Sequence, residues 1–505
     1  MRTLFLMFDS LNRSALGCYG SHLATPNFDR LARQAMIFDR HYIGSMPCMP
    51  ARRDLHTGRL NFMHRSWGPL EPFDGSFPEC LGRRGVYSHL VSDHYHYFED
   101  GGATYHGRYT TWDFVRGQEA DPWVAMVQPP LARLRERYHP AQLETERGGY
   151  RLQGSLNMDT LVEAADYPAV RCVDRALEFL ESNAAADHWL LQVETFDPHE
   201  PFAAPAACRD GLETDYRGPT YNWPRYRRAG EETLEEAAEL RANYAALVRL
   251  CDDQLGRLLD HFDAANRWDD TALVLTTDHG FLLGEHDWWG KNRMPFFNEI
   301  ANIPLLVWHP ELGSRAGTRC TALTQTSDLM PTFLELFGAE VPAETRGHSL
   351  LPLVRGAATT SREVALYGVF GGALNVTDGR HTYFRYPADM EAAPLFEYTL
   401  MPMHARSLFT VEELVAAELV RGFDFTRGVP LLRIPARADA RRPPMQGGGF
   451  ADCRDALYDL QTDPGQTRPI TDPSVTTRLL DAAVDEMRRH DAPRELYTRF
   501  ALDPP

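Results

Sequence analysis

The sequence predicts an α/β protein: a mostly parallel sheet flanked by helices over residues 1–346, then a smaller α+β unit with an antiparallel sheet over 347–505. Three observations lead there. Strand-length apolar runs alternate with helical patterns through about the first 340 residues, as in parallel strands joined by crossover helices. Several of those runs end on Asp or His, where an open α/β sheet places its functional residues. Beyond Gly347 the pattern changes to short strands separated by tight turns.

Arg2–Phe8 is an apolar run ending in Asp9, as expected of a buried parallel strand. Thr25-Pro26 opens a helix, with Thr as cap and Pro in the first turn, and Phe28, Leu31, Ala32 and Ala35 supply its apolar face. Ala35–Tyr42 reads as a strand leading into the loop that carries Cys48. Pro50 disfavours helix at Met49, so the next helix is expected from about Ala51, with Cys48 just ahead of it. Val86–Val91 is a strand followed by Ser92-Asp93-His94-Tyr95-His96. Residues 107–165, rich in charge, Trp, Pro and Tyr, read as an insertion over the sheet edge. Val170–Ser182 is helical, and His188–Thr195 is a strand ending in Asp197-Pro198-His199-Glu200-Pro201. Glu231–Phe262 is a long helical pattern with acidic residues early, where the dipole favours them. Thr271–Thr277 is a strand ending in Asp278-His279-Gly280, and Ile303–Trp308 is another. In the second unit Glu363–Gly371, Asn375–Tyr386 and Ala456–Leu460 read as short strands, with Asp378-Gly379 as a hairpin turn, and Val475–His490 reads as a helix. Residues 400–450, with clusters of Pro, Gly and Arg, are expected to form a surface excursion or the contact of a homo-oligomer.

At 505 residues the chain is too long for one simple core. Hydrophobic residues at 43% and charged residues at 24% are ordinary for a globular protein. No apolar run reaches the ~20 residues of a membrane span. Met1–Phe8 is followed at once by Asp9 without a small-residue cleavage site, so it is read as a strand rather than a secretion signal. Eight cysteines without close pairing suit a reducing cytosol, and a cytoplasmic location is expected. The net charge of −18 argues against nucleic acid as partner, but not against a small anionic substrate, because the local field of a pocket decides that. Of the 52 Lys plus Arg, one is lysine, Lys291. A single lysine in a chain that otherwise uses arginine points to a position needing a compact ammonium with a tunable pKa.

The loop Ser45–Arg59 carries Cys48-x-Pro50-x-Arg52, an odd setting for a structural cysteine. Near a helix start, Cys48 lies where the dipole favours anions, and Arg52 offers a fixed fork of donors to an anionic oxygen. The pattern resembles the signature of the type I sulfatases, in which that cysteine is oxidised to formylglycine. Downstream, Asp278-His279-Gly280…Gly284-Glu285-His286…Gly290-Lys291 resembles a segment of the sulfatase and phosphonate monoester hydrolase branches of the alkaline phosphatase superfamily. The motifs follow the family order along nearly the whole chain.

The resemblance implies an alkaline-phosphatase-like fold. It implies one divalent metal ion, Ca2+ or Mn2+, held by Asp9, Asp278, His279 and the modified Cys48. Lys291 stands where the family keeps its catalytic lysine, and His199 matches the histidine opposite the leaving group. His96 matches the histidine of a Lys-x-His element in which His94 replaces the lysine. Catalysis is thus expected from Cys48, Arg52, His96, His199 and Lys291, with His94, Lys291 and His199 contacting a small anionic ester. A formylglycine-generating enzyme is the implied maturation partner. Two hydrolytic readings stay open. One is a sulfate monoester hydrolase. The other is a phosphonate monoester or phosphodiester hydrolase, towards which Ser10 and His279 lean, since many sulfatases have aspartate and asparagine there. A non-catalytic binding protein on the same fold is the third. Trp67, Tyr95, Tyr105 and Trp288 are candidates to line a pocket for a ring.

Overall fold

The computed structural model describes residues 1–146, 148–292, 295–390, 392, 394–437 and 453–504. Its central sheet has eight strands in the order Arg319–Gln325, Met36–Tyr42, Leu305–Trp308, Thr271–Thr276, Arg2–Phe8, Trp189–Thr195, Tyr87–Ser92 and Thr111–Phe114. Leu305–Trp308 runs antiparallel to both neighbours, and the other pairings are parallel. Arg2–Phe8 pairs in register with Trp189–Thr195 on one side and Thr271–Thr276 on the other, from Arg2 against Trp189 and Thr271. The C-terminal ends of these three strands are therefore level with one another.

The central strand shows why the sheet is buried on both faces. Leu4, Leu6 and Phe8 point into one core and Phe5 and Met7 into the other, following the two-residue period of a strand. Helices Pro26–Gln34, Pro168–Ser182 and Leu234–Ala264 cover the first face. Phe77–Gly82, Leu329–Leu336 and Leu351–Val354 cover the second. The alternation expected over the first part of the chain is thus realised as a mostly parallel sheet between helical layers.

Four local expectations are corrected. The helix after the Cys48 loop runs Cys48–Thr57, not from Ala51. Pro50 falls in its first turn, where a missing N–H costs nothing because no intrahelical acceptor exists there. Thr25 does not cap its helix; its hydroxyl accepts from the Gly17 N–H at 2.8 Å. The cap comes instead from the long helix, where Asp252 Oδ1 accepts from the N–H of Asn27 at 2.9 Å and of Phe28 at 2.8 Å. The long helix begins at Leu234, three residues late, under a capping box between Thr233 and Glu236. Residues 107–165 are not only an insertion, since Thr111–Phe114 forms the edge strand.

The second sheet runs Ala456–Asp459, His381–Arg385, Ala373–Thr377, Ala365–Val369 and Ser45–Met46. The turn at Asp378-Gly379 joins two of its strands, with Gly379 at φ +82°. Its last strand, Ser45–Met46, comes from the first part of the chain and stands two residues before Cys48. Within 400–450, part of which (438–450) lies outside the described residues, Glu418–Val420 and Leu431–Pro435 pair in a small sheet with Phe396–Thr399. No helix among the described residues is long and apolar enough to cross a membrane.

Candidate active site

The level strand ends bring the acidic residues together. Arg2–Phe8 delivers Asp9, and its neighbour Thr271–Thr276 delivers Asp278 and His279. Trp189–Thr195 brings Glu194 and, past its end, His199 and Glu200; Tyr87–Ser92 brings His94 and His96. Cys48, the first residue of its helix, completes the group. Ligand atoms of Asp9, Cys48, Asp278 and His279 all lie within 4.8 Å of one another, and all four residues are buried. Cys48 Sγ is 3.4 Å from His279 Nε2.

This donor set fits a divalent ion. Two carboxylates and a neutral imidazole suit manganese-like ions, and carboxylates alone would suit calcium. The His279 ring is held from behind, with Nδ1 3.1 Å from the Gly280 carbonyl oxygen, which leaves Nε2 for a metal. Burial, then the charge of Lys291, lowers the His279 pKa to about 3, so the ring is neutral.

Arg52 does not reach for a substrate oxygen. It is fully buried and saturated by the site's own acids, with NH2 2.9 Å from Asp9 Oδ2 and 2.6 Å from Glu194 Oε1, and NH1 2.6 Å from Asp278 Oδ2. Its NH1 also donates to the Cys48 carbonyl at 2.9 Å, locking the helix start to the acids. Burial pushes the Asp9 carboxyl up, but Lys291 and Arg52 outweigh it and hold the group well below the usual range. Burial and the neighbouring Asp9 raise Asp278 to about 7. Lys291 Nζ donates to Ser10 Oγ at 2.9 Å and lies 3.7 Å from Asp9 Oδ1. Ser10, at φ +61°, turns its N–H to Asp278 Oδ1 at 3.2 Å and its hydroxyl to Asp9 Oδ1 at 2.8 Å. Burial also raises the Cys48 thiol well above the ordinary value, so the unmodified side chain is protonated and a poor nucleophile.

A cleft of about 610 Å³ opens onto Cys48 and Lys291, walled by Trp67, His96, Glu119, His199 and Glu200. A model of the family described as Sulfatase matches residues 2–339. The chain belongs to the sulfatase family. It is a sulfuric ester hydrolase. A second model, N-sulphoglucosamine sulphohydrolase, C-terminal, matches residues 284–410. The chain is 24% identical over 441 residues to the N-acetylglucosamine-6-O-sulfatase of Bacteroides thetaiotaomicron, covering 76% of this chain and 74% of that one. It is 26% identical over 449 residues to the choline-sulfatase of Rhizobium meliloti, covering 80% and 81%. The crystal structure of the phosphonate monoester hydrolase of Agrobacterium radiobacter superposes with a TM-score of 0.65 at 18% identity, covering 97% of this chain and 96% of that one, a likeness of fold.

The histidines of this sulfatase are placed unequally. His199 and His96 line the cleft, but His94 does not; it is buried behind Asp9, with Nε2 3.2 Å from Asp9 Oδ2. His96 Nδ1 lies 2.5 Å from Glu99 Oε2, and His199 Nδ1 lies 2.6 Å from the Glu200 carbonyl oxygen. Trp67 lines the cleft; Tyr105 and Trp288 belong to hydrophobic cores, and Tyr95 stands behind Glu119. Residues 404–407 also line the cleft, so the stretch expected to be a surface excursion reaches the site. Sequence reasoning missed Glu194, Glu119 and Glu200. Glu200 sat in the Pro198-His199-Glu200-Pro201 turn, and its neighbour His199 was the available signal.

Proposed function

We propose that this sulfatase hydrolyses sulfate monoesters with a formylglycine made from Cys48, beside one divalent ion held by Asp9, Asp278 and His279. The observation that carries the reading is the four-donor cluster, with Cys48 at a helix start and Lys291 on the same cleft. Cys48 Sγ stands in for an oxygen of the hydrated aldehyde. That aldehyde supplies one hydroxyl to attack and a second through which the resulting ester can be released. The ion supplies Lewis acidity towards oxygens bound there.

The chain's own residues do the rest. Arg52 keeps Asp9 and Asp278 oriented and offsets their charge. Lys291 presents its ammonium to the oxygens of the anionic ester; burial works against that charge, but Cys48, Glu200, Asp9 and Asp278 outweigh it and hold the pKa above the usual lysine value. His199, with Nδ1 committed to the Glu200 carbonyl, addresses the leaving oxygen through Nε2. Burial and Lys291 keep that ring neutral in the free protein, and a bound anion would favour its protonation. His96, with Glu99 on Nδ1, is placed to take a proton at Nε2. His94 is assigned a positioning role behind Asp9. Residues 1–346 would form the catalytic unit and 347–505 a second unit that contributes 404–407 to the cleft wall. Maturation would be by a formylglycine-generating enzyme.

The test is the mass of the peptide containing Cys48 in chain co-expressed with such an enzyme. Conversion lowers it by about 18 Da, since sulfur and two hydrogens leave and one oxygen arrives. Cys48→Ala should cut turnover of an aryl sulfate at least ~10³-fold with an unchanged melting temperature. An unshifted peptide in chain that still turns over the ester would sink the reading. The second reading, phosphonate monoester hydrolysis, is favoured by Ser10, which links Asp9, Asp278 and Lys291 where many sulfatases have a second aspartate. Parallel assays with an aryl sulfate and an aryl phosphonate separate the two.

A further inference from the structure

Two buried carboxylates face the cleft on the His199 side. Ligand atoms of Glu119, His199 and Glu200 lie within 4.8 Å of one another. Glu119 is 4% exposed and Glu200 2%. Among the described residues neither forms an ion pair with Lys or Arg. Each is instead oriented by a phenol: Tyr95 donates to Glu119 Oε2 at 2.7 Å, and Tyr226 donates to Glu200 Oε1. Glu200 Oε2 accepts no hydrogen bond. His199 Nδ1, 3.3 Å from that oxygen, is committed instead to the Glu200 carbonyl at 2.6 Å. Nearby cations act on the pair only through space, Lys291 and Arg151 on Glu200 and Arg406 on Glu119, and make their direct contacts elsewhere. Lys291 is turned to Ser10 and Asp9, while Arg406 pairs with Glu99 at 2.8 Å and lies 4.0 Å over the Tyr150 ring.

We infer that the alcohol half of the ester carries an ammonium group, received by Glu119 and Glu200 on the leaving-group side of the cleft. The inference rests on the hydrolase reading above, which puts the sulfate at Lys291 and the alcohol at His199. A hydroxyl there brings one donor and no charge. An ammonium brings three donors and a positive charge in direct contact, which the two buried carboxylates lack. A metal ion in the same place would occupy His199 Nε2, which the reaction needs for the leaving oxygen. The substrate is then a zwitterion, its two ends met by different residues of one pocket.

Calorimetric binding to the full-length, metal-loaded Cys48→Ala chain tests this without turnover. The probes are 2-aminoethyl sulfate and 2-hydroxyethyl sulfate, matched in size. The amino ester should bind at least ~10-fold more tightly, and Glu119→Gln with Glu200→Gln should bring the two within about twofold. Equal affinities in the parent overturn the inference, whether or not the double variant folds. So does a preference that survives the double substitution in folded protein. A second equivalent of metal that is lost on Glu119→Gln also overturns it. Failure of the hydrolase reading shows separately, as no turnover of an aryl sulfate by chain whose Cys48 peptide has changed mass.

Discussion

Two groups of buried acids, one lining the cleft and one buried behind Cys48, are treated in opposite ways. Asp9, Asp278 and Glu194 surround Arg52, which meets each at 2.6–2.9 Å, and Lys291 stands behind Asp9. Glu119 and Glu200 have phenols and a neutral imidazole and, among the described residues, no Lys or Arg in ion-pair contact; Lys291 and Arg406 act on them only through space. The contrast in ionisation is between Asp9 and Glu119; Asp278, beside Asp9, is raised to about 7 like Glu119. Asp9 is held well below the usual carboxylate range because Lys291 and Arg52 overcome its burial. Glu119 rises to about 7, because burial and then the charge of Glu200 work together against its ionised form. A buried acid whose counter-charge is built into the chain is part of the scaffold. One whose counter-charge is missing is open to what enters the cleft.

The largest expected effect is on the scaffold side. Arg52→Met leaves three buried carboxylates without their shared partner, and removal of one member of such a network costs about 3–5 kcal/mol. Urea denaturation should show that loss at pH 7.5, with reduced metal retention after dialysis. Glu119→Gln, measured alongside, should lose no more than about 1 kcal/mol, because it breaks no ion pair and removes a charge that burial disfavours. Similar losses in both variants would erase the contrast between the clusters. The next effect is catalytic and belongs to the open side. His199→Asn should lower kcat by roughly 10²–10³-fold for an alkyl sulfate and by less for a nitrophenyl sulfate, whose leaving oxygen needs no proton. Equal losses for both esters would show that the ring holds the substrate rather than serving the leaving group.

Much of the scaffold side was legible in the sequence, and little of the open side was. Asp9, Asp278 and His279 end apolar runs, and the register of two parallel strands then sets them side by side. Cys48, Arg52 and Lys291 were readable because each departs from its surroundings: a thiol between prolines, an arginine in its helix turn, the chain's one lysine. The partners of Arg52 were not readable. Its fork looked free for a substrate oxygen because Glu194, within a strand 142 residues away, gave no local sign of facing it. Glu119 lies in a stretch without clear periodicity, and only tertiary folding brings it against Glu200. Thr25 illustrates the same limit on a smaller scale. The local rule names it as cap, but Asp252, 225 residues beyond Asn27, arrives with a stronger acceptor and takes the helix end. Local pattern reports strand ends and turns; pairings across the fold decide which of those residues carry charge.

The smallest expected effect gives the finest test of the contrast. Glu119 titrates at about 7 in the folded chain against 4.5 for an exposed glutamate. A raised folded value means that its contribution to stability is fully present below pH 4.5 and is lost as pH climbs through 7. The loss is up to about 3 kcal/mol in this group's share of the folding free energy. Urea denaturation of the parent at pH 5 and pH 8 includes that loss together with those of every other titrating group. Glu119→Gln removes this share alone, so the variant should fall less between the two pH values, and the gap between the curves should close towards pH 5. If both chains change by the same amount, Glu119 is ionised throughout. Its counter-charge then lies within the protein, and the second cluster is wired like the first.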